Sequence, residues 1–164
     1  GQLTNDFWSI TLPMDLSTSS STSPSLYAYY AAQYIIGANG LFSKLKISDL
    51  LQEGLRSKKS ALERHHLFPK AWLERNGVSD QTQRNQIANY ALVEWNDNIN
   101  ISDTEPSRYL PNYLSRLTNE DKVKMYYWHA LSENWEQMDY FDFLIDRRKR
   151  IAQVVKDAYE TISK

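Results

Sequence analysis

The chain of 164 residues contains no cysteine. Disulfides and thiolate-held zinc are therefore excluded, and any metal chemistry must use His, Asn, Asp or Glu. No apolar run approaches the roughly 20 residues needed to span a bilayer, and no signal-peptide pattern opens the sequence. A soluble, cytoplasmic protein with no membrane partner is the expectation. Charge of either sign is also missing in excess, since the formal net charge is −1. That argues against a protein that coats a polyanion through a global positive field. It leaves room for one that confines its basic residues to a single face. The chain opens Gly1-Gln2, and a piece of a longer protein is expected.

What is present is a globular composition, 41% hydrophobic and 13% aromatic. One domain spanning 1–164 with a real core is the expected organisation. Phe7 to Leu12 reads as a short strand ended by Pro13. Leu16 to Ser25 is rich in Ser and Thr and reads as a loop. Ser23 with Pro24 marks a helix start, and Gly37 its stop. A second helix is expected from Ser48 to Leu55. Leu62 to Phe68 reads as a strand stopped by Pro69, and Lys70 to Asn76 as a short helix closed by Gly77. Val78 to Gln86 reads as a loop, Tyr90 to Trp95 as a second strand, and a helix is expected from near Asn96. Pro106 sits at a helix start, and Thr118 with Asp121 resembles a capping box. Phe141, Leu144, Arg148, Ile151, Val155, Ala158 and Ile162 recur at spacings of three and four, which predicts a long amphipathic helix. The fold class expected is mainly α with a small β-hairpin. The core lies at about 60–105, and flanking helices fall in 24–55 and 106–162.

Histidine is scarce: there are three in the chain. Two of them, His65 and His66, are adjacent in Glu63-Arg64-His65-His66-Leu67-Phe68-Pro69-Lys70. Asn89 then opens an apolar strand, and Asn98 follows nine residues on. A His pair, an Asn before a strand and a later Asn form the pattern of an HNH nuclease motif. Phosphodiester hydrolysis requires a base for water and a positive charge for the phosphate and the leaving oxygen. Neutral imidazole suits the first task near pH 7, and a divalent cation the second. In this division His66 is the base, and His65 and Asn98 are metal ligands. Asn89 braces the His segment through its side-chain amide. Mg²⁺ is the first expectation, with Mn²⁺, Ni²⁺ or Zn²⁺ also suited to an imidazole. Neighbours on an ideal strand point to opposite faces, so both histidines serve one site only if the backbone bends there.

Each assignment has a plainer rival. The His pair can be a surface pair, and Asn89 a turn residue. Asn96, Asp97 and Asn100 compete with Asn98, since any of them can cap a helix. His129 reads as a core or surface histidine rather than a third ligand, and Glu63 as a surface carboxylate. Arg148 falls in the apolar stripe of its helix, either buried against a carboxylate or aimed at a phosphate. Lys70 and Arg64 are further candidates for the phosphate backbone.

Leu62 to Leu110 resembles the HNH domain of bacterial GmrSD-like proteins. The matching stretches are the His65-His66 segment, Asn85 to Val93, Asn98 to Ser102 and Pro106 to Leu110. Phe143 to Ala152, and the Ser-Pro start and Ala31-Ala32-Gln33 of the first helix, are also similar. The resemblance implies a ββα-metal core embedded in helices and a metal-dependent DNA endonuclease from a restriction or anti-phage defence protein. It also implies a ParB-like nucleotide-hydrolysing domain in the same longer chain. Many HNH modules carry Asp where His65 stands, and Lys shortly after the final Asn, where this chain has Ile99 and Ile101. That difference and the near-neutral charge define an alternative: a non-catalytic DNA-binding or regulatory module. Ribonuclease activity is a weaker third reading.

Overall fold

A computed structural model of the chain describes residues 3–56 and 61–164. A π-helical turn at Phe7–Thr11 runs into α1 (Leu12–Asp15), followed by α2 (Pro24–Ile35) and α3 (Ile47–Arg56). Next come β1 (Leu62–His66), α4 (Lys70–Arg75), α5 (Gln81–Arg84), β2 (Tyr90–Glu94) and α6 (Trp95–Ile101). The last third holds α7 (Pro106–Leu114), α8 (Asn119–Trp128) and α9 (Tyr140–Ile162). The chain is mainly helical with a small antiparallel hairpin, as its sequence predicts.

The N-terminal segment departs from expectation: Phe7 to Leu12 is helical rather than a strand. The burial pattern explains why. Trp8, Leu12 and Leu16 are all buried, and a spacing of four puts them on one helical face. That face packs on α9, where Trp8 meets Tyr159 with ring centroids 5.5 Å apart. Pro13 lacks an N–H for a helical bond, and the chain meets it with a wider turn, in which Leu12 N–H donates to Phe7 O.

The other boundaries follow local chemistry. Pro24 occupies the first turn of α2, where its missing N–H costs nothing. Gly37 (φ 74°) and Gly77 (φ 90°) follow α2 and α4 in a backbone region that suits glycine. Thr118 Oγ1 accepts from Asp121 N–H at 3.1 Å, as the capping pattern predicts. Asp80 caps α5 by accepting from Thr82 N–H at 2.8 Å, so the expected loop at 78–86 contains a helical turn.

The hairpin pairs β1 with β2 so that His65 lies opposite Ala91 and His66 opposite Tyr90. Ala91 and Val93 are buried and their neighbours half-buried, the alternation of a strand with one covered face. Leu41 N–H donates to Leu92 O at 2.8 Å and docks the α2–α3 connection on the same strand. α9 lies across the molecule, capped by Asp139, which accepts from Phe141 and Asp142 N–H. Its buried face is Phe143, Leu144, Arg147, Ile151, Val154 and Ala158. The predicted stripe is therefore turned: Phe141 and Ile162 are exposed, and Arg147 rather than Arg148 is the arginine in the core.

Arg147 ties the layers together. Its Nε donates to His129 O at 3.1 Å, and Nη1 donates to Ala88 O at 2.8 Å and Tyr90 O at 2.5 Å. Its charge is met by backbone dipoles and by the face of Tyr29, whose centroid lies 6.0 Å away. Nε and Nη1 are satisfied in this way, while Nη2 is buried without a hydrogen-bond partner among the described residues. The contact fixes the start of β2 against α9.

Candidate active site

The segment after β1 is anchored before it is functional. Phe68 is buried, with its ring within 4.9–5.6 Å (centroid to centroid) of Trp72, Trp135, Tyr140 and Phe143. Removing a ring of this size from a core costs about 3–5 kcal/mol. Asn89, wholly buried, completes the anchor. Its Oδ1 accepts from Phe68 N–H at 2.9 Å, and its Nδ2 donates to Phe68 O and Arg84 O, both at 3.0 Å. Leu67 N–H donates to Asn89 O at 2.8 Å. Asn89 thus has the contacts of a brace on the segment that follows the two histidines.

At this end of the hairpin lies an open, polar pocket of about 410 Å³ lined by His65, His66, Pro69, Lys70, Asn98, Ser102 and Asp103. The two histidines leave the strand on different sides, and the pocket straddles its end. His65 is buried against α6 and α7. Tyr109 Oη donates to Leu67 O at 2.8 Å, so its oxygen receives the Nε2–H of His65 across 3.3 Å. The neutral imidazole of His65 keeps one lone-pair nitrogen. Asn98 also hydrogen-bonds His65 through its side chain. Burial is the main cause that lowers the His65 pKa to about 4.

His66 is half-buried on the other side. Its Nε2 lies 2.9 Å from Asn85 Oδ1, which also accepts from Tyr90 Oη at 3.3 Å. An amide oxygen only accepts, so Nε2 carries the proton and Nδ1 the lone pair. Burial chiefly lowers the His66 pKa, and the nearby cations Lys70, Arg64 and Arg84 lower it further, against the raising effect of Asn85. Both imidazoles are neutral at pH 7. Arg64 lies over the Tyr90 ring, 4.0 Å from its centroid, and does not line the pocket.

The rivals for Asn98 separate cleanly. Asp97 is buried and paired with Arg116 at 2.9 Å. Asn96 and Asn100 are exposed, and neither they nor Asp97 line the pocket. Glu63 does not line it either. His129 is fully buried elsewhere, with Nε2–H on Asn39 O at 2.8 Å. Arg148 donates to Gln86 Oε1 at 2.9 Å and borders a separate pocket with Ile10, Met14 and Ile145. Of the three cations singled out for phosphate, Lys70 stands beside the histidines, and Arg64 and Arg148 do not line the pocket.

A neutral imidazole, which keeps one unprotonated nitrogen, and a side-chain amide lining the same polar pocket are a donor set that a divalent cation accepts. His65 and Asn98 fit that group. Among the described residues, no three His, Cys, Asp or Glu side chains cluster as a ligand set, so water and substrate oxygens would fill the remaining positions. Asn85 and Tyr109 are the residues that sequence reasoning gave no role. Each acts by orienting a histidine, and neither spacing nor composition marks them. Comparison with protein-family models, curated proteins and solved structures finds no match to this chain.

Proposed function

We propose that this chain is a metal-dependent DNA endonuclease module. The observation that carries the reading is the pocket at the hairpin end, which brings His65, His66, Asn98 and Lys70 together on a β-hairpin followed by a helix. His66, neutral and holding its proton on Nε2, takes a proton from water at Nδ1. Asn85 keeps that nitrogen free. His65 and Asn98 would hold one divalent ion, Mg²⁺ first. When bound, the ion supplies positive charge to the phosphate and to the leaving oxygen. Lys70 adds a cation at the pocket rim for the phosphate. Asn89 and Phe68 hold the histidine segment in place while the substrate changes charge.

The resemblance extends the proposal to a restriction or anti-phage defence protein of the cytoplasm, with a nucleotide-hydrolysing domain in the same longer chain. No helix among the described residues is long and apolar enough to cross a membrane. A second reading, a non-catalytic DNA-binding or regulatory module, is favoured by one observation. Ile101, near the place where many HNH modules carry a lysine, is buried in the core.

Supercoiled-plasmid cleavage with Mg²⁺, Mn²⁺ or EDTA, alongside His66→Ala, separates the two. Metal-dependent nicking that disappears in the variant supports the nuclease. DNA binding without turnover in any metal supports the second reading.

A further inference from the structure

The active-site pocket does not end at Asp103. A second pocket of about 600 Å³, lined by Trp72, Arg75, Asn76, Ser102, Asp103, Thr104, Glu105 and Arg108, shares Ser102 and Asp103 with it. The two form one groove. α4 runs along it, since Lys70 at its start lines the first pocket and Arg75 at its end lines the second. Five helical residues advance about 7.5 Å, the scale of one step from phosphate to phosphate along a single strand, whose spacing through space exceeds the roughly 3.4 Å axial rise.

The second pocket is chemically suited to an anion. Arg75 and Arg108 are exposed, and their guanidinium groups match phosphate geometry. Two carboxylates oppose them. Glu105 is occupied by its neighbours: Oε2 accepts from Trp72 Nε1–H at 3.1 Å, and Oε1 lies 3.9 Å from Arg108 Nε. Asp103 is exposed at the junction. Along the groove, Lys70, Arg75 and Arg108 outnumber Asp103 and Glu105.

We propose that the second pocket seats the phosphate backbone of the DNA strand being cut, next to the scissile phosphate. Arg75 and Arg108 contact it. The inference rests on the nuclease reading for where the scissile phosphate lies. It assigns substrate positioning to α4 and the start of α7, outside the histidine motif.

The test is fluorescence anisotropy of a labelled DNA duplex in EDTA, in a His66→Ala background, across a salt series. Arg75→Ala with Arg108→Ala should weaken binding about tenfold near 0.1 M salt and reduce the salt slope by roughly 2, one for each lost phosphate contact. Asp103→Asn should tighten binding. Lys122→Ala with Lys124→Ala, an equal charge loss on α8 outside both pockets, should change little. Both arginines are exposed, so the thermal melt should be unchanged. An arginine pair that binds like the parent, or no worse than the α8 control, overturns the inference. Tighter binding of an RNA duplex of the same sequence overturns DNA as the occupant. Plasmid nicking by the otherwise wild-type chain separates the two readings. No nicking with arginine-dependent binding removes the nuclease and keeps the groove. Nicking with arginine-independent binding removes the groove alone.

Discussion

His66 Nε2 lies 2.9 Å from Asn85 Oδ1, and this contact decides which imidazole nitrogen is free to act. Asn85 follows the last residue of α5, and its N–H donates to Gln81 O at 2.9 Å. The acceptor is therefore held by the backbone as well as by Tyr90 Oη. Asn85→Ala should lower metal-dependent cleavage about 10- to 100-fold, the usual cost of losing such an orienting partner. DNA binding should be unchanged. Asn85→Asp keeps an acceptor and should recover part of the loss. Ring ¹⁵N shifts of His66 at fixed pH report the tautomer directly. If Asn85→Ala leaves both the tautomer and the rate as they were, the orienting role is wrong.

Asn89 carries more of the stability. Its amide, wholly buried, bonds three backbone groups, of which Arg84 O also accepts from Tyr140 Oη at 3.3 Å. Leaving a buried backbone group unpaired costs about 1–3 kcal/mol. Asn89→Ala should therefore destabilise the chain by about 3 kcal/mol or more, read by urea denaturation. A loss under about 1 kcal/mol would mean that water takes over the amide's role, and the brace would have no energetic basis.

The site and its supports were unequally visible in the sequence. His65, His66 and Asn98 stand out because two histidines of three are adjacent and the amides fall at strand and helix boundaries. The hairpin and most helices follow from Pro, Gly and capping residues, which act within a few positions. Asn85, Tyr109 and Arg147 act on partners brought close only by folding. Tyr109 meets Leu67 O from α7, and Arg147 meets Tyr90 O from α9. The strand expected at Phe7 to Leu12 failed for a related reason. A short apolar run fits either period, and the surface of α9 selects the helical one by burying Trp8, Leu12 and Leu16 together.

Ser102 marks strain at the groove. It ends α6 with φ 47° and ψ −122°, a conformation that suits glycine. Ser102 lines both pockets, which places that strain beside Asn98 and Asp103. Ser102→Gly should stabilise the fold by about 1 kcal/mol, because relief of the strain exceeds the added backbone entropy of the unfolded chain. The melting temperature reads it. A lower melting temperature would show that the serine side chain contributes more than its backbone costs.

His129 makes stability depend on pH. It is fully buried, its Nε2–H donates to Asn39 O, and Arg147 donates to its own carbonyl. Burial, the largest cause, lowers its pKa to about 4, with the Arg147 charge acting in the same direction. The unfolded chain, with an ordinary histidine near 6.5, binds the proton first as pH falls. Stability is therefore fully present above about pH 6.5 and is lost progressively toward pH 4, below which both states are protonated. The loss from this one residue is on the order of 3 kcal/mol, at 1.36 kcal/mol per unit of pKa difference. His65 titrates in the same window and adds to the total. His129→Gln keeps a donor for Asn39 O but cannot be protonated. It should begin less stable at pH 7 and lose less stability than wild type between pH 6.5 and 4, measured by urea midpoints at matched salt. Parallel declines in the two proteins would mean that His129 is protonated in the folded state as readily as in the unfolded one, and that acid sensitivity arises elsewhere.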